Sequence, residues 1–84
     1  MEKEKARALY LAALDEVFQR CKEEYYGKEE DYGGVWLEED LDVRLAGIKT
    51  DANRLPTIKD SEKLKHKMID LINYVVFCYA KAGR

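Results

Sequence analysis

The sequence predicts an all-α fold: three helices in an antiparallel arrangement, completed as a helical bundle by dimerisation. Three observations carry this. Apolar residues recur at three- and four-residue spacings in three separate stretches, at about residues 2–26, 40–55 and 60–82. Between the stretches the periodicity fails at Gly33-Gly34 and again at Pro56, the residues that punctuate helices most strongly. The second half of the last stretch is apolar nearly all round, more than a three-helix protein can cover from its own chain.

Eighty-four residues make one domain, and a chain this short buries about two-thirds of the surface its unfolded form exposes, so its own core is marginal. The chain is 46% hydrophobic and 38% charged with a net charge of -2, which lacks the basic surplus of a nucleic-acid binder. Cys21 and Cys78 sit in apolar helical stretches without metal-site spacing and read as buried reduced thiols. The start, Met1-Glu2-Lys3-Glu4-Lys5, mixes both charges and is no signal sequence, and no run is long enough to span a bilayer. The expected location is the cytoplasm, with neither a membrane nor nucleic acid as partner.

In the first helix, Tyr10, Leu14, Val17, Phe18, Cys21 and Tyr25 form one continuous face, and Gly27 is placed to cap its end. The following loop holds Tyr32 and Trp36, aromatics costly to expose, which fold back over the helix ends or stack on a ligand. The second helix carries a narrow stripe, Leu41, Leu45, Ile48, Ala52 and Leu55, flanked by Asp40, Arg44, Gly47, Asp51 and Arg54. A glycine inside a helix costs about 1 kcal/mol against alanine, so Gly47 implies a close neighbour, either a helix or a ligand. Asp60 or Ser61 caps the third helix. Its main apolar arc is Leu64, Met68, Leu71, Ile72, Val75, Tyr79 and Ala82, which leaves Lys63, His66, Asp70, Asn73, Phe77 and Lys81 on the opposite side. Phe77 on that polar side calls for a second chain, hence the expected dimer through the third helix.

The chemistry-bearing residues concentrate in the same helix. His66 and Asp70 stand at i and i+4 and Asn73 at i+7, so a carboxylate, an imidazole and an amide can face one hydrated Mg2+ ion. A carboxylate bordering so much apolar surface needs a partner, and Arg54 is its natural structural partner. Phosphate contacts would come from Lys28, Arg44, Lys49 or Arg54, with Arg54 preferred for its planar fork. No serine-histidine-aspartate set, glycine-rich phosphate loop or His-Glu-x-x-His motif occurs.

Three local patterns then fall into one order. Lys28-x-x-Asp31-Tyr32-Gly33-x-x-Trp36, Ala52-Asn53-Arg54-Leu55 with Thr57-Ile58, and Asp70-Leu71-Ile72-Asn73-Tyr74-Val75-Val76 resemble the nucleotide-modification-associated domain family of phage and bacterial proteins. That family is similar in layout to the MazG-like all-α nucleoside-triphosphate pyrophosphohydrolases, which bind Mg2+ through paired acidic residues and form dimers or tetramers. The resemblance matches Asp70 to the aspartate of the second acidic pair, whose glutamate position holds Lys67, and finds no Glu-x-x-Glu on the second helix. It implies a nucleotide-binding or pyrophosphohydrolase-like domain. Mg2+ would be held by Asp70 with His66 and Asp51, or Glu24, and the nucleotide by Arg54, Lys28, Asn73, Tyr32 and Trp36. The alternative is a non-enzymatic oligomeric interaction module, in which Asp70, Asn73 and Arg54 form a buried network that fixes helix register.

Overall fold

From Glu2 to Tyr32 the chain forms one unbroken helix, α1 (Glu2–Tyr32). The computed structural model describes residues 2–83, and Tyr32 through its backbone alone. The expected end at Gly27 is therefore corrected. Gly27 lies inside α1, where the helix formers Lys28, Glu29 and Glu30 follow it and the Lys28–Glu24 ion pair, 2.7 Å, spans the turn that contains it. The helix stops at Gly33, whose N–H donates to the Glu29 carbonyl at 2.9 Å. A Cβ at Gly33 would stand 2.4 Å from that carbonyl oxygen, so the stop requires glycine.

A single-turn helix, α2 (Val35–Glu38), follows. Lys81 fastens it by donating to the carbonyls of Trp36, at 2.9 Å, and of Glu39. Next, α3 (Leu41–Arg54) starts at Asp40, whose side chain accepts from the N–H groups of Asp42 and Val43 at 2.9 and 3.2 Å. A 3-10 turn at Leu55–Thr57 contains Pro56 and leads to α4 (Ser61–Lys81). Asp60 caps α4 in the same way, accepting from Glu62 and Lys63 at 2.9 and 3.4 Å. The left-handed glycine of the chain is Gly83, φ 81°, just past the end of α4.

The fold is all-α, and α4 is the element on which α1, α2 and α3 all pack. Its orientation differs from the sequence expectation. Asp70, Asn73, Phe77 and Lys81, assigned to the solvent side, are half-buried, while Met68, Val75 and Tyr79 of the main apolar arc are exposed. Phe77 needs no second chain. Its ring stacks on Trp36, centroids 4.9 Å apart and 13° between planes, and meets Tyr25 edge-on at 6.0 Å. The inward face of α3 likewise falls between its apolar stripe and its charged flank. Leu41, Arg44, Ile48, Asp51 and Leu55 are half-buried there, while Leu45 and Ala52 face out. Among the described residues nothing beyond its own helix lies within 4 Å of where a Gly47 Cβ would be, so the close neighbour expected there is not among them.

The core is thin: Cys21, Ile69, Leu71 and Cys78 are buried, and no described side chain is fully enclosed. Both cysteines are free, and burial pushes the Cys21 thiol above its ordinary pKa. Among the described residues no helix is long and apolar enough to cross a membrane.

Candidate functional site: a pocket between α1, α2 and α4

Because α4 turns its polar line inward, Asp70, Asn73 and Tyr74 meet the last turns of α1 and the α2 segment. Together they enclose a pocket of about 320 Å³. Its walls include Glu24, Tyr25 and Lys28 of α1, Trp36 of α2, Glu39 and Arg44 beside it, and Phe77 of α4. That volume is at the small end of the range for small-molecule sites.

One end is acidic. Glu24, His66 and Asp70 each offer a ligand atom, and these atoms lie within 4.8 Å of one another. His66 Nε2 is 3.9 Å from a Glu24 oxygen and 3.8 Å from an Asp70 oxygen. Carboxylates from two helices plus an imidazole fit a divalent cation that takes one or two carboxylates and keeps several waters. The hydrogen bond from Lys28 is the main reason the Glu24 carboxyl is held below its ordinary pKa, with Lys28, His66 and Arg20 adding their charge against burial. The same hydrogen bond holds the Lys28 ammonium above its ordinary value. Both groups are thus charged at neutral pH, and Lys28 neutralises the carboxylate that a cation would take.

The other end is aromatic and cationic. Trp36 and Phe77 form a stacked wall, and the Tyr25 hydroxyl donates to the Gly33 carbonyl at 3.2 Å. The Trp36 Nε1–H is buried and finds no acceptor among the described residues, unusual for a native polar atom. Arg44 lies with its guanidinium 4.5 Å from the centre of the Tyr74 ring and donates twice to Glu39, both at 2.7 Å. That hydrogen bonding is the main reason the Arg44 pKa is raised. Asn73 is tied to the fold, its amide donating to the Cys21 carbonyl at 3.2 Å.

Of the residues singled out in the sequence, the structure brings Asp70, His66, Glu24, Lys28, Arg44, Asn73 and Trp36 to this pocket or its mouth. It does not bring Asp51 or Arg54. Asp51 faces Lys67 at 3.6 Å, and Arg54 is exposed and, among the described residues, enters no ion pair. The expected Arg54–Asp70 pair is therefore corrected: the polar neighbours of Asp70 are His66 and, across the pocket, Glu24 and Lys28. The Tyr32 side chain lies outside the described residues. Tyr25, Glu39 and Phe77 belong to no motif, and Tyr74 was quoted within the last pattern without a site role. The one signal for Phe77 was its position seven residues beyond Asp70 on the polar side of α4, where an aromatic makes sense as a pocket wall.

No family model, curated protein or solved structure matches the chain.

Proposed function

We propose that this pocket binds a nucleotide through a divalent cation, and that release of pyrophosphate from a nucleoside triphosphate is the reaction it serves. The observation that carries the reading is the convergence of Glu24, His66 and Asp70 at one end of a pocket whose other end is a Trp36–Phe77 stack flanked by Arg44. A phosphate chain and two carboxylates repel one another, and a cation such as Mg2+ would offset that repulsion and polarise the phosphoryl group. On this reading Glu24 and Asp70 hold the cation, and Glu24 gives up Lys28 as it does so. The freed ammonium would then meet phosphate oxygens. The aromatic wall takes the base, and the Trp36 Nε1–H, without an acceptor among the described residues, supplies a donor to it. Arg44, held by Glu39, flanks the aromatic end. In the same reading the three long helices are half of a bundle that a second copy completes.

The test is a screen of nucleoside and deoxynucleoside triphosphates with Mg2+, followed by pyrophosphate release and by thermal shift. At least one nucleotide is expected to raise the melting temperature in the presence of Mg2+ and to lose that effect with a chelator. Turnover would establish the enzymatic form, and a shift without turnover a binding form. Neither response with any nucleotide would overturn both.

A second reading, an oligomeric interaction module without catalysis, draws on one specific observation. Tyr79, Val75 and Met68 leave an apolar arc open on α4. It differs in predicting that Asp70→Asn destabilises the protein and removes no ligand response.

A further inference from the structure

The α2 side of the pocket is its least anchored wall. Gly33, Val35, Trp36 and Glu39 line the cavity from there. Both ends of the segment are fixed, Gly33 by the Tyr25 hydroxyl and Glu39 by the Arg44 guanidinium. Between them stands a single helical turn, too short to be stable alone, in which the Leu37 N–H reaches the Gly34 carbonyl at 3.3 Å. Its flanks bury little, since Val35 is 52% exposed and Leu37 56%. Among the described residues, α2 is held by the Trp36–Phe77 stack and by Lys81, whose ammonium donates to the Trp36 and Glu39 carbonyls. These carbonyls lie toward the C-terminal end of α2, which has no basic residue in its own last turn, so Lys81 of α4 supplies the cation that such an end favours.

Two features of this position call for a second one. The Trp36 Nε1–H is shut away from solvent without an acceptor among the described residues. A buried donor left unpaired costs free energy, and any movement that brings it to water or to a ligand acceptor recovers that cost. Gly34 has φ -101° and ψ -10°, which any residue adopts, and a Cβ there would meet nothing within 4 Å. The observed position therefore has no need of a glycine at 34, whereas a segment that swings about residue 34 uses its wider conformational range.

We infer that α2 is a lid on the pocket, hinged at Gly34 and latched shut by Lys81. Opening brings the Trp36 Nε1–H to water or to an acceptor on the molecule that enters. In the shut position the Lys81 hydrogen bonds and the Phe77 stack offset the cost of the unpaired N–H, which keeps the two positions close in free energy. Lys81 does not line the cavity; it is a positioning residue that acts through the backbone of α2. The inference concerns how the pocket is entered, and it holds whatever the pocket binds.

Trp36 is the one tryptophan, so its indole N–H gives a single proton resonance, and hydrogen exchange at that proton in the ligand-free full chain reads the opening. The expected protection is about a hundredfold less than that of the backbone amide of Leu71, in the core of α4, and insensitive to low urea. Lys81→Met is expected to speed the exchange by about tenfold or more, and Lys81→Arg, which still donates, to keep most of the protection. Gly34→Ala, which the shut position accommodates, is expected to slow it severalfold. Leu71 should keep its protection in all three variants. An indole N–H protected as strongly as Leu71, with the same dependence on urea, moves only with the whole fold and would overturn the lid. A Lys81→Met chain with unchanged indole exchange, or with Leu71 loosened equally, would overturn the latch. Unslowed exchange in Gly34→Ala would overturn the hinge.

Discussion

Glu24 is the residue on which the chemistry of the pocket turns, since it is shared by Lys28, His66 and a prospective cation. Its carboxyl pKa is lowered from 4.5 in the folded chain, so the stability it contributes is present above that value and is lost as pH falls through the lowered one. Lys28 is raised from 10.5, so its share is present below that value and is lost as pH rises through the raised one. Urea denaturation across pH is expected to show wild type more stable than Glu24→Gln in the window between, with the difference vanishing in acid. Asp70→Asn should change stability by less than about 1 kcal/mol, since the imidazole of His66 is exposed and 3.8 Å from the Asp70 oxygen. It should also remove the Mg2+-dependent thermal shift. At this scale the sequence was readable where partners share a helix: His66 and Asp70 are four residues apart. The third member, Glu24, comes from α1 and is fixed by how α1 lies on α4, which spacing within either helix does not encode. The same limit explains why Arg54, plausible as a partner by charge, is not one.

At the scale of elements, the pocket exists because Gly33 ends α1 and returns the chain so that Trp36 reaches Phe77. Gly33→Ala would press a methyl into the Glu29 carbonyl, and chemical denaturation is expected to show a loss of stability together with a change in the Trp36 emission. Gly27→Ala and Gly47→Ala meet nothing within 4 Å and lie inside helices. Each is expected to stabilise the chain by about 0.5–1 kcal/mol, read by the same measurement. Phe77→Ala removes a half-buried ring and its stack and should cost about 2–4 kcal/mol, many degrees of melting temperature in a domain this small. The three long helices were legible from their apolar periods, the Asp60 cap and Pro56, whereas α2 and the last turns of α1 were expected as loop. The facing of α4 was not. A helix apolar on most of its circumference has no dominant direction: Ile69, Leu71 and Cys78 are buried, while Met68, Val75 and Tyr79 of the main arc are exposed and Asp70, Asn73 and Phe77 line the pocket.

For the whole molecule, a chain with four buried core residues has little burial to set against the conformational entropy of folding. The pocket and the open faces divide the molecule between them. Glu24, Asp70 and Trp36 lie where α1 and α2 cover α4, and Met68, Val75 and Tyr79 lie on the side of α4 that its own chain leaves bare. The two surfaces are therefore separable by substitution. Trp36, the one tryptophan of the chain, stands in the pocket wall and reports on it directly. The decisive measurement is a titration of its fluorescence with a nucleoside triphosphate, with Mg2+ and then with a chelator. A saturable change that requires Mg2+ and is absent in Asp70→Asn is the predicted result. A Trp36 signal unmoved by every nucleotide in the presence of Mg2+ would contradict the account.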